Sequence, residues 1–507
     1  MARLKEYNDH YCESEYEYAF IGFLEAEGWK YSSGNNIRRV TKRDVLIVDD
    51  FKKFIADINP DLTEDEVTQV YDNVRLVGAE SDFATLHKVY GWMVNGVQFT
   101  PQDGLPRMIP LIEFDNWDKN IFRVVNQFTV EYTNNGQKEN RRPDVLLFVN
   151  GMPLCVIELK NPADANATIY DAWEQINIRY WRDIPHLLHY CPLACISDGV
   201  KTRLGTVRTP YEHFYAWRRV NEGDVVSTLP FAETETMIKG VYTPERFVEI
   251  FRDYIYFQDS IYDSDEVEIV CRYPQFFAAK LLKQSIVNSV VTRSGKGGTY
   301  FGATGCGKTY TMAFLARQLA LRCTDIPEIG SPTIILIVDR DELQKQGSKL
   351  FTKSKEFLNL GEVSVVKNRT QLRQELGARQ SGGFYICTIQ KFCDREDDKI
   401  GLINDRQNII CFSDEAHRTQ LEHSKKIQFS KDADENMKAM VSKPYAKVLK
   451  EAFPHATFVG FTGTPIAETY QTFGDEIDRY TMDQAVADGL TVSIKYHPRI
   501  AKVLLDN

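Results

Sequence analysis

The chain has 507 residues, of which 43% are hydrophobic and 26% are charged, and its formal net charge is −10. This length predicts roughly two to four domains, and the ordinary balance of apolar and charged residues argues against a disordered chain. The acidic net charge argues against a protein that coats nucleic acid through its overall charge, so any nucleic-acid-binding surface must be local.

Ten cysteines are spread along the chain without a Cys-x-x-Cys pair. This distribution predicts neither a disulfide framework nor a zinc site and fits a reducing compartment. The first residues, MARLKEYNDHYCESEYEY, lack the basic and apolar regions of a signal peptide. No apolar run approaches the length of about 18 residues that a membrane span needs. We therefore expect a cytoplasmic protein without a membrane span.

The first predicted element is an amphipathic helix within residues 15–29, EYEYAFIGFLEAEGW, which ends at Gly28. The apolar residues at helical spacing are Ala19, Phe20, Phe23 and Leu24. Residues 122–132, FRVVNQFTVEY, alternate well enough to predict one strand, which the Asn-Asn-Gly turn at 134–136 ends. The region from about 37 to 160 is therefore predicted to be α+β.

Two apolar runs, VLLFV and PLCVIEL, flank the Asn-Gly pair at 150–151, and this pair is a strong hairpin signal because both residues tolerate positive φ. A two-residue loop would set Asp144 opposite Ile157, whereas a three-residue loop at 150–152 would set it opposite Glu158. A metal site shared by the two acids therefore requires the three-residue loop or an equivalent irregularity, and the glycine suits the bulge in such a loop.

With that register, Asp144 and Glu158 offer hard oxygen ligands to Mg²⁺. Lys160 shares a face with Glu158, where it can orient water or offset charge at a phosphate. The chemistry that these residues predict is phosphodiester hydrolysis. The alternative is an ordinary hairpin with charged strand ends.

Beyond the hairpin, residues 169–181 predict a helix, residues 193–197 a short buried strand, and the acidic residues 258–274 a linker or peripheral segment. Apolar strands then alternate with helical segments, and the strands read TYFGATGCGKT, TIILIVD, GFYICT, NIICFSDEAH and ATFVGFTGTP. This alternation predicts a parallel sheet with crossover helices.

The segment GATGCGKT at residues 302–309 fits the phosphate-loop pattern G-x-x-x-x-G-K-[ST] between a strand and a helix. Its backbone N–H groups would bind phosphates, Lys308 would place a charge at the β and γ phosphates, and Thr309 would bind Mg²⁺. The candidate ATP contacts in this loop are Thr304, Gly305, Cys306, Gly307, Lys308 and Thr309.

A second apolar strand ends in Asp414-Glu415, where Asp414 would hold hydrated Mg²⁺ and Glu415 would orient the attacking water. The segments GATGCGKT, SDEAH and FTGTP, in this order, resemble the first motor lobe of helicase-like ATPases of the second superfamily. The resemblance implies a RecA-like lobe, with Gln275 as an adenine contact or else a capping glutamine. It also implies weaker DNA contacts at Arg340 and Thr388, which are otherwise loop residues.

Hydrolysis in such motors also needs an arginine from a second lobe. After TGTP the chain continues only through DGLTVSIKYHPRIAKVLLDN, which resembles the crossing into that lobe. We therefore expect an amino-terminal fragment of a longer protein, one that binds ATP without a complete second motor lobe.

The segments NQFTVEY, NRRPDVLLFVNGMPLCVIELKNP, DAWEQINIRYWRDIPHLLHY and ISDGVKTRLGT resemble the nuclease domain of type I restriction endonuclease motor subunits. The family pattern PD-(D/E)xK is matched by Pro143-Asp144 and by Glu158-Leu159-Lys160. The resemblance implies a restriction-endonuclease-like α+β domain before the motor lobe. Glu17 resembles the helical acid of the family and is otherwise an exposed helix glutamate.

One departure from the family concerns the pattern Gln-x-x-x-Tyr, because here Gln175 is followed by Tyr180 five residues later. In an α-helix a four-residue spacing keeps two side chains on one face, whereas a five-residue spacing separates them. Either the helix contains a local bulge or Tyr180 has another role. Both residues are candidates for support of the nuclease site.

Together the resemblances imply an endonuclease domain at residues 1–257, a first motor lobe at 258–474 and the start of a connection at 475–507. The implied function is Mg²⁺-dependent cleavage of double-stranded DNA coupled to ATP-driven translocation, with DNA methyltransferase and specificity subunits as partners. One alternative is a repair-type helicase-nuclease without a methyltransferase partner. The other is a catalytically silent ATP-binding scaffold.

Overall fold

The structure is a computed structural model, and it describes residues 13–78, 80–161, 168–225, 232–258, 266–338, 349–392, 400–416, 427–431, 437–441 and 445–492. The chain divides into two compact units, Met1–Tyr273 and Pro274–Asn507. No helix in these described ranges is both long enough and apolar enough to cross a membrane.

The first unit combines helices with one large sheet. Its helices are α1 Glu13–Ala26, α2 Val48–Ile58, α3 Glu64–Arg75, α4 Asp82–Asn95, α5 Ile169–Glu174, α6 Trp181–Asp183, α7 Pro185–Leu188, α8 Ala232–Val241 and α9 Pro244–Asp253. A π-helix, Gln175–Tyr180, joins α5 to α6. Short 3₁₀ turns occur at Gly34–Asn36, Trp117–Lys119 and Tyr211–His213.

The strands of this unit are β1 Lys30–Ser33, β2 Val97–Phe99, β3 Arg107–Ile109, β4 Phe122–Asn126, β5 Val130–Asn134, β6 Gln137–Arg141, β7 Val145–Val149, β8 Met152–Leu159, β9 Leu193–Ser197, β10 Thr202–Thr206, β11 Ile255–Phe257 and β12 Glu268–Val270. Six of them form a mixed sheet in the order β1-β4-β7-β8-β9-β10. The pairs β1–β4 and β8–β9 are parallel, and the other three pairs are antiparallel.

The two strands of the predicted hairpin, β7 and β8, lie at the centre of this sheet, and every residue in them is buried. Their unbroken apolar runs follow from that position, because a central strand covered on both faces has no solvent-facing side. The expectation of a buried strand at residues 193–197 is also confirmed by β9.

Three expectations for the first unit need correction. The apolar face of α1 consists of Phe20, Ile21 and Leu24, whereas Phe23 is 44% exposed. The expected single strand at residues 122–132 is two strands, β4 and β5, because Gln127 takes a positive φ of 56° between them. The acidic segment 258–274 is not wholly peripheral, since its described part contains β12, which pairs with β11.

The second unit is a parallel-sheet lobe. Its helices are α10 Tyr273–Thr292, which begins at the last residue of the first unit, α11 Lys308–Arg322, α12 Lys355–Leu358, α13 Arg369–Gly377, α14 Tyr445–Ala452, α15 Ala467–Phe473 and α16 Met482–Ala487. A 3₁₀ turn lies at Ile389–Phe392.

The strands of the lobe are β13 Lys296–Gly302, β14 Thr333–Val338, β15 Val363–Val365, β16 Phe384–Thr388, β17 Ile409–Asp414, β18 Ile427–Lys431, β19 Met437–Val441, β20 Thr457–Thr462 and β21 Glu476–Tyr480. Seven of them form one sheet in the order β15-β16-β14-β17-β20-β13-β21, in which all neighbours are parallel. The prediction of a parallel sheet with crossover helices is therefore confirmed.

Candidate functional site

The β7–β8 hairpin turns at Asn150 and Gly151, which both have positive φ, 51° and 76°. The turn has two residues, because Val149 pairs with Met152, so the expected three-residue loop is wrong. The equivalent irregularity is present, since the register shifts between Leu147 and Phe148 and places Val145 opposite Ile157. One position farther out, the same register brings Asp144 beside Glu158.

Each of these two acids accepts a hydrogen bond from a backbone N–H group on the opposite side of the hairpin. The backbone N–H of Leu159 donates to Oδ2 of Asp144 at 2.8 Å, and the backbone N of Asp144 lies 3.4 Å from Oε1 of Glu158. Burial, followed by the charge of Asp144, raises the pKa of Glu158 well above its ordinary value. The two carboxyl groups therefore share one environment.

Glu158 is fully buried, and its Oε2 has no hydrogen-bond partner among the described residues. An ionised carboxylate in such a place is unfavourable unless a cation or a proton compensates for it. The orphaned oxygen and the neighbouring Asp144 therefore fit a hard divalent cation. Within the described ranges, no group of three or more His, Cys, Asp or Glu side chains could hold a metal. Mg²⁺ tolerates a two-carboxylate site because it usually keeps several of its waters.

A chain of hydrogen bonds connects Lys160 to Glu158. Nζ of Lys160 donates to Oε1 of Gln175 at 2.9 Å, and Nε2 of Gln175 donates to the Tyr180 hydroxyl at 2.8 Å. The Tyr180 hydroxyl in turn donates to Oε1 of Glu158 at 2.6 Å. The structure thus brings all four of these sequence-predicted residues together.

The π-helix explains how a five-residue spacing reaches one site. A π-helix bonds residue i to residue i+5 and holds more residues per turn than an α-helix, so Gln175 and Tyr180 lie on one face. The contact between their side chains is direct. The first of the two possibilities that the sequence left open, a local bulge in the helix, is therefore correct.

Glu17 lies on the buried face of α1 and is only 6% exposed. The side-chain amide of Asn126 donates to its Oε1 at 2.5 Å, and that of Gln127 donates to its Oε2 at 2.9 Å. Burial and then the charge of Asp144 raise the pKa of Glu17. The alternative of an exposed helix glutamate is therefore wrong. The sequence reasoning missed Asn126 and Gln127, although an Asn-Gln pair that interrupts an alternating strand was a visible signal.

In the second unit, the loop after β13 carries glycines at the two positions where the backbone requires positive φ, Gly305 at 81° and Gly307 at 84°. Thr304 and Gly305 are exposed, Cys306 is buried, and Thr309 is half-buried in the first turn of α11. Nζ of Lys308 donates to the carbonyl oxygen of Gly302 at 3.2 Å. This arrangement is a glycine turn that leads into a helix N-terminus, which favours anions.

Asp414 ends β17, and Glu415 follows it with a positive φ of 48°. Oε1 of Glu415 lies 3.9 Å from Nζ of Lys308. Burial raises the pKa of Asp414 to about 6, although the nearby Lys308 opposes this shift. The phosphate-loop lysine and both acids are therefore grouped at the carboxyl ends of parallel strands, where ligands bind in sheets of this kind.

The remaining candidates in this unit lie in different places. Gln275 is buried on α10, and its Nε2 donates to the carbonyl oxygen of Gly307 at 3.3 Å, so it contacts the phosphate loop. Thr388 is buried at the end of β16, where it accepts a hydrogen bond from Lys391 at 3.2 Å. Arg340 lies outside the described residues.

Comparison with known protein families gives two matches. Residues 11–213 match the model of the type I restriction enzyme R protein N terminus, and residues 274–507 match the SWI2/SNF2 ATPase model. These two segments contain the two groups of candidate site residues described above.

Among curated proteins, the HindI type I restriction enzyme endonuclease subunit of Haemophilus influenzae is 31% identical over 96% of this chain. The putative MjaIXP type I restriction enzyme endonuclease subunit of Methanocaldococcus jannaschii is 30% identical over 97% of this chain. The chain spans 46% of the length of each of these relatives.

A solved fragment of a putative HsdR subunit of a type I restriction enzyme from Vibrio vulnificus aligns with 72% of this chain and 56% of its own. The identity is 16% and the TM-score is 0.26, values at which the alignment supports no statement about the fold. From the sequence matches, the chain belongs to the family of type I restriction enzyme endonuclease subunits.

Proposed function

We propose that this chain is the endonuclease and motor part of a type I restriction enzyme in the cytoplasm. Its first unit, with a restriction-endonuclease-like fold, would cleave double-stranded DNA in a Mg²⁺-dependent reaction. Its second unit, with a RecA-like fold, would bind ATP and take part in DNA translocation. The partners in this proposal are a DNA methyltransferase subunit and a specificity subunit, which the resemblance to type I restriction endonuclease motor subunits implies.

The observation that carries the nuclease proposal is the buried Glu158, whose Oε2 has no partner among the described residues while Asp144 lies beside it. Most structural glutamates in protein cores have their oxygens hydrogen-bonded, because an unpaired buried carboxylate destabilises the fold. A pair of acids held in this strained state is instead typical of a functional centre.

The residues of this site have separable roles. Asp144 and Glu158 would hold Mg²⁺, which when bound would supply positive charge beside the scissile phosphate. The ammonium of Lys160 would stabilise the negative charge that develops on the phosphate oxygens or orient the attacking water. Gln175 and Tyr180 would fix Lys160 relative to Glu158, since they connect the two directly. Glu17 would add negative charge near Asp144.

In the motor unit, Lys308 would contact the β and γ phosphates of ATP, and Thr309 with Asp414 would hold its Mg²⁺. Glu415 would orient the attacking water. Its position 3.9 Å from Lys308 supports this role, because the two residues would then face the same phosphate. Gln275 would act near the adenine end of the nucleotide, beside the loop that it contacts.

The two alternatives from the sequence are less well supported. A repair-type helicase-nuclease would not be expected to match the R protein N terminus over residues 11–213. A silent scaffold has no need of the hydrogen-bond chain from Lys160 to Glu158.

The test compares DNA cleavage and ATP hydrolysis by the full-length protein, assembled with its partner subunits, for the wild type and two variants. Glu158→Gln removes the acid of the nuclease site, and we expect it to abolish cleavage while ATP hydrolysis continues. Lys308→Ala is expected to abolish both, because translocation would precede cutting. Glu174→Gln, at a surface glutamate paired with Arg179, is the control and should change neither. Cleavage by Glu158→Gln at the wild-type rate would refute the nuclease assignment.

A further inference from the structure

The first unit contains a polar cavity of about 580 Å³. One wall is the β5–β6 hairpin, and the other is the segment that runs from Arg182 to His186. Three arginines line it, namely Arg43, Arg141 and Arg182. Nothing in the proposed cleavage reaction uses these residues.

Asp183 holds two of these arginines in fixed positions. Its carboxylate, whose side chain is 6% exposed, accepts hydrogen bonds at 2.7 Å from Nε of Arg141 and at 2.7 Å from Nε of Arg182. These arginines lower the pKa of Asp183, so it is ionised at neutral pH. The side chains of Arg141 and Arg182 nevertheless remain 34% and 64% exposed. One buried carboxylate thus orients two guanidinium groups that still reach solvent.

The charges around the cavity leave an excess of positive charge. Arg43 is exposed and forms no ion pair with any described residue. Besides Asp183, the other lining carboxylate is Glu139, which accepts hydrogen bonds from Tyr132 at 2.5 Å and Asn134 at 2.9 Å. Three arginines therefore face two carboxylates, and both carboxylates are already engaged.

His186 adds a hydrogen-bonding group without adding charge. Burial, followed by the charge of Arg43, lowers the pKa of His186 to about 4, so its ring is neutral at neutral pH. Its Nε2 is buried and has no hydrogen-bond partner among the described residues. A neutral imidazole can donate one hydrogen bond to an anionic oxygen.

The cavity is within reach of the DNA strand that the nuclease site would cut. Arg141 precedes Asp144 by three residues, so their Cα atoms are at most about 11 Å apart. Successive phosphates of one DNA strand rise by about 3.4 Å along the helix axis. Arg141 would therefore lie within about three phosphates of the scissile bond. On the other wall, Asp183 follows Tyr180, which contacts Glu158, by three residues.

We infer that this cavity binds backbone phosphates of double-stranded DNA beside the cleavage centre, with Arg43, Arg141 and Arg182 as the contacts. The inference rests on the proposed nuclease function, which supplies the DNA. Arginine suits the task because its planar, always charged guanidinium presents several N–H donors to phosphate oxygens. The fixed geometry set by Asp183 lowers the entropy that binding must overcome.

The test measures the salt dependence of DNA binding by the full-length protein. All proteins carry Glu158→Gln so that the duplex stays intact, and the probe is a fluorescent DNA duplex titrated at several salt concentrations. We expect Arg43→Gln combined with Arg182→Gln to lower the slope of log K against log salt by about 0.9 per lost contact, or about 1.8 in total. An unchanged slope would overturn the inference.

A matched control removes the same two charges elsewhere in the unit. Arg107 pairs with Asp61 and Arg179 pairs with Glu174, and neither arginine lines the cavity. Arg107→Gln combined with Arg179→Gln should keep the wild-type slope, and an equal fall in slope would mean that only net charge matters and would also overturn the inference. Replacing Arg43 and Arg182 with lysine should restore most of the slope, since it restores the charge.

A cleavage assay with Glu158 intact separates this inference from the proposed function. If the wild type cuts DNA but the cavity variants bind with an unchanged slope, the inference fails and the nuclease assignment stands. If the slope falls as expected but the wild type does not cut DNA under any Mg²⁺ condition, the phosphate-binding surface stands and the nuclease assignment fails.

Discussion

The two candidate sites both place acids at the ends of buried strands, but they are assembled differently. In the second unit, Asp414 is the last residue of β17 and Lys308 follows β13, and both strands belong to one parallel sheet. Such ends meet at one edge of the sheet whatever the exact register. In the first unit, Asp144 precedes one strand and Glu158 lies near the end of its antiparallel neighbour. These two acids meet only if the hairpin register is correct.

This difference means that the proposed nuclease site depends on features far from its acids. The register is set by the Asn-Gly turn and by the irregularity near Phe148, at the opposite end of the hairpin. A one-residue slip would turn Asp144 away from Glu158, because side chains alternate between the faces of a strand. The proposed ATP site has no comparable dependence on the register of a hairpin.

The largest expected effect is that of Gly151→Ala. A Cβ at Gly151 would lie 2.3 Å from the carbonyl oxygen of Ile47 and 2.9 Å from the backbone N of Phe51, so α2 or the hairpin must move. We expect a loss of about 2–5 kcal/mol in the free energy of unfolding, from the strained positive φ together with overpacking. DNA cleavage should be lost while ATP hydrolysis remains.

Gly136→Ala is the matched control, because Gly136 also lies in a two-residue hairpin turn with positive φ, 82°, but has nothing within 4 Å of its added Cβ. It should cost only about 1–2 kcal/mol. Unfolding in urea followed by tryptophan fluorescence reports on the first unit alone, since all six tryptophans precede residue 218. Equal losses for the two variants would show that the close approach of Gly151 to Ile47 does not matter.

Acidity should act on the two units in opposite directions. The lowered pKa of His186, about 4, means that its charging opposes folding, so its contribution to the stability of the first unit is lost as the pH falls from about 6.5 to 4. The raised pKa of Asp414, about 6, means that its contribution to the stability of the second unit is lost as the pH rises from about 4 to 6. Each effect is at most about 3 kcal/mol.

His186→Gln and Asp414→Asn should each remove one of these pH dependences and leave the other. Tryptophan fluorescence follows the first unit, and circular dichroism adds the second unit to the signal. The stability of the first unit should fall less steeply with decreasing pH in His186→Gln than in the wild type. An equally steep fall would contradict the expected role of this histidine.

The smallest of the expected effects is that of Tyr180→Phe, which removes the hydroxyl that joins Gln175 to Glu158. Because loss of a supporting hydrogen bond next to a metal ligand typically reduces activity by about 10–100-fold, we expect cleavage to fall by that factor. The effect should be partly reversed by higher Mg²⁺ concentration. ATP hydrolysis should not change.

Tyr170→Phe is the control for this variant, since Tyr170 lies on α5 of the same helical segment and is 47% exposed. It should cleave DNA at the wild-type rate. A Tyr180→Phe protein that cleaves as fast as Tyr170→Phe would mean that the hydrogen-bond chain only supports the fold.

The sequence predicted the structure of the second unit more completely than that of the first, and the reason is physical. Each strand of the parallel sheet is a short apolar run between helical segments, and local patterns identify such runs. The phosphate loop follows one such run and the two acids lie at the end of another, so their positions followed from motif order. Gln275 was placed near the nucleotide by resemblance, and the contact with Gly307 depends on folding that the sequence pattern does not contain.

In the first unit, the sequence predicted the candidate acids but not the way in which they meet. A shared metal site required an irregularity in the hairpin because side chains alternate along each strand, but this alternation does not tell whether the irregularity lies in β8 or in the loop. The buried face of α1 was also predicted incompletely. Glu17 lies on this face, but because it is charged, the spacing of apolar residues does not include it. A charged residue on a buried face is recognised only when its partners, Asn126 and Gln127, are known.

The π-helix between Gln175 and Tyr180 has a consequence for how relatives of this protein are recognised. A helix that holds one additional residue in a widened turn keeps the first and last residues of a motif in contact, although the number of residues between them has changed. Searches that demand a fixed gap will therefore overlook functional members of the family whenever such a widened turn has absorbed an insertion. Allowing the gap to vary by one residue, and then checking whether the two side chains can touch, would recover them.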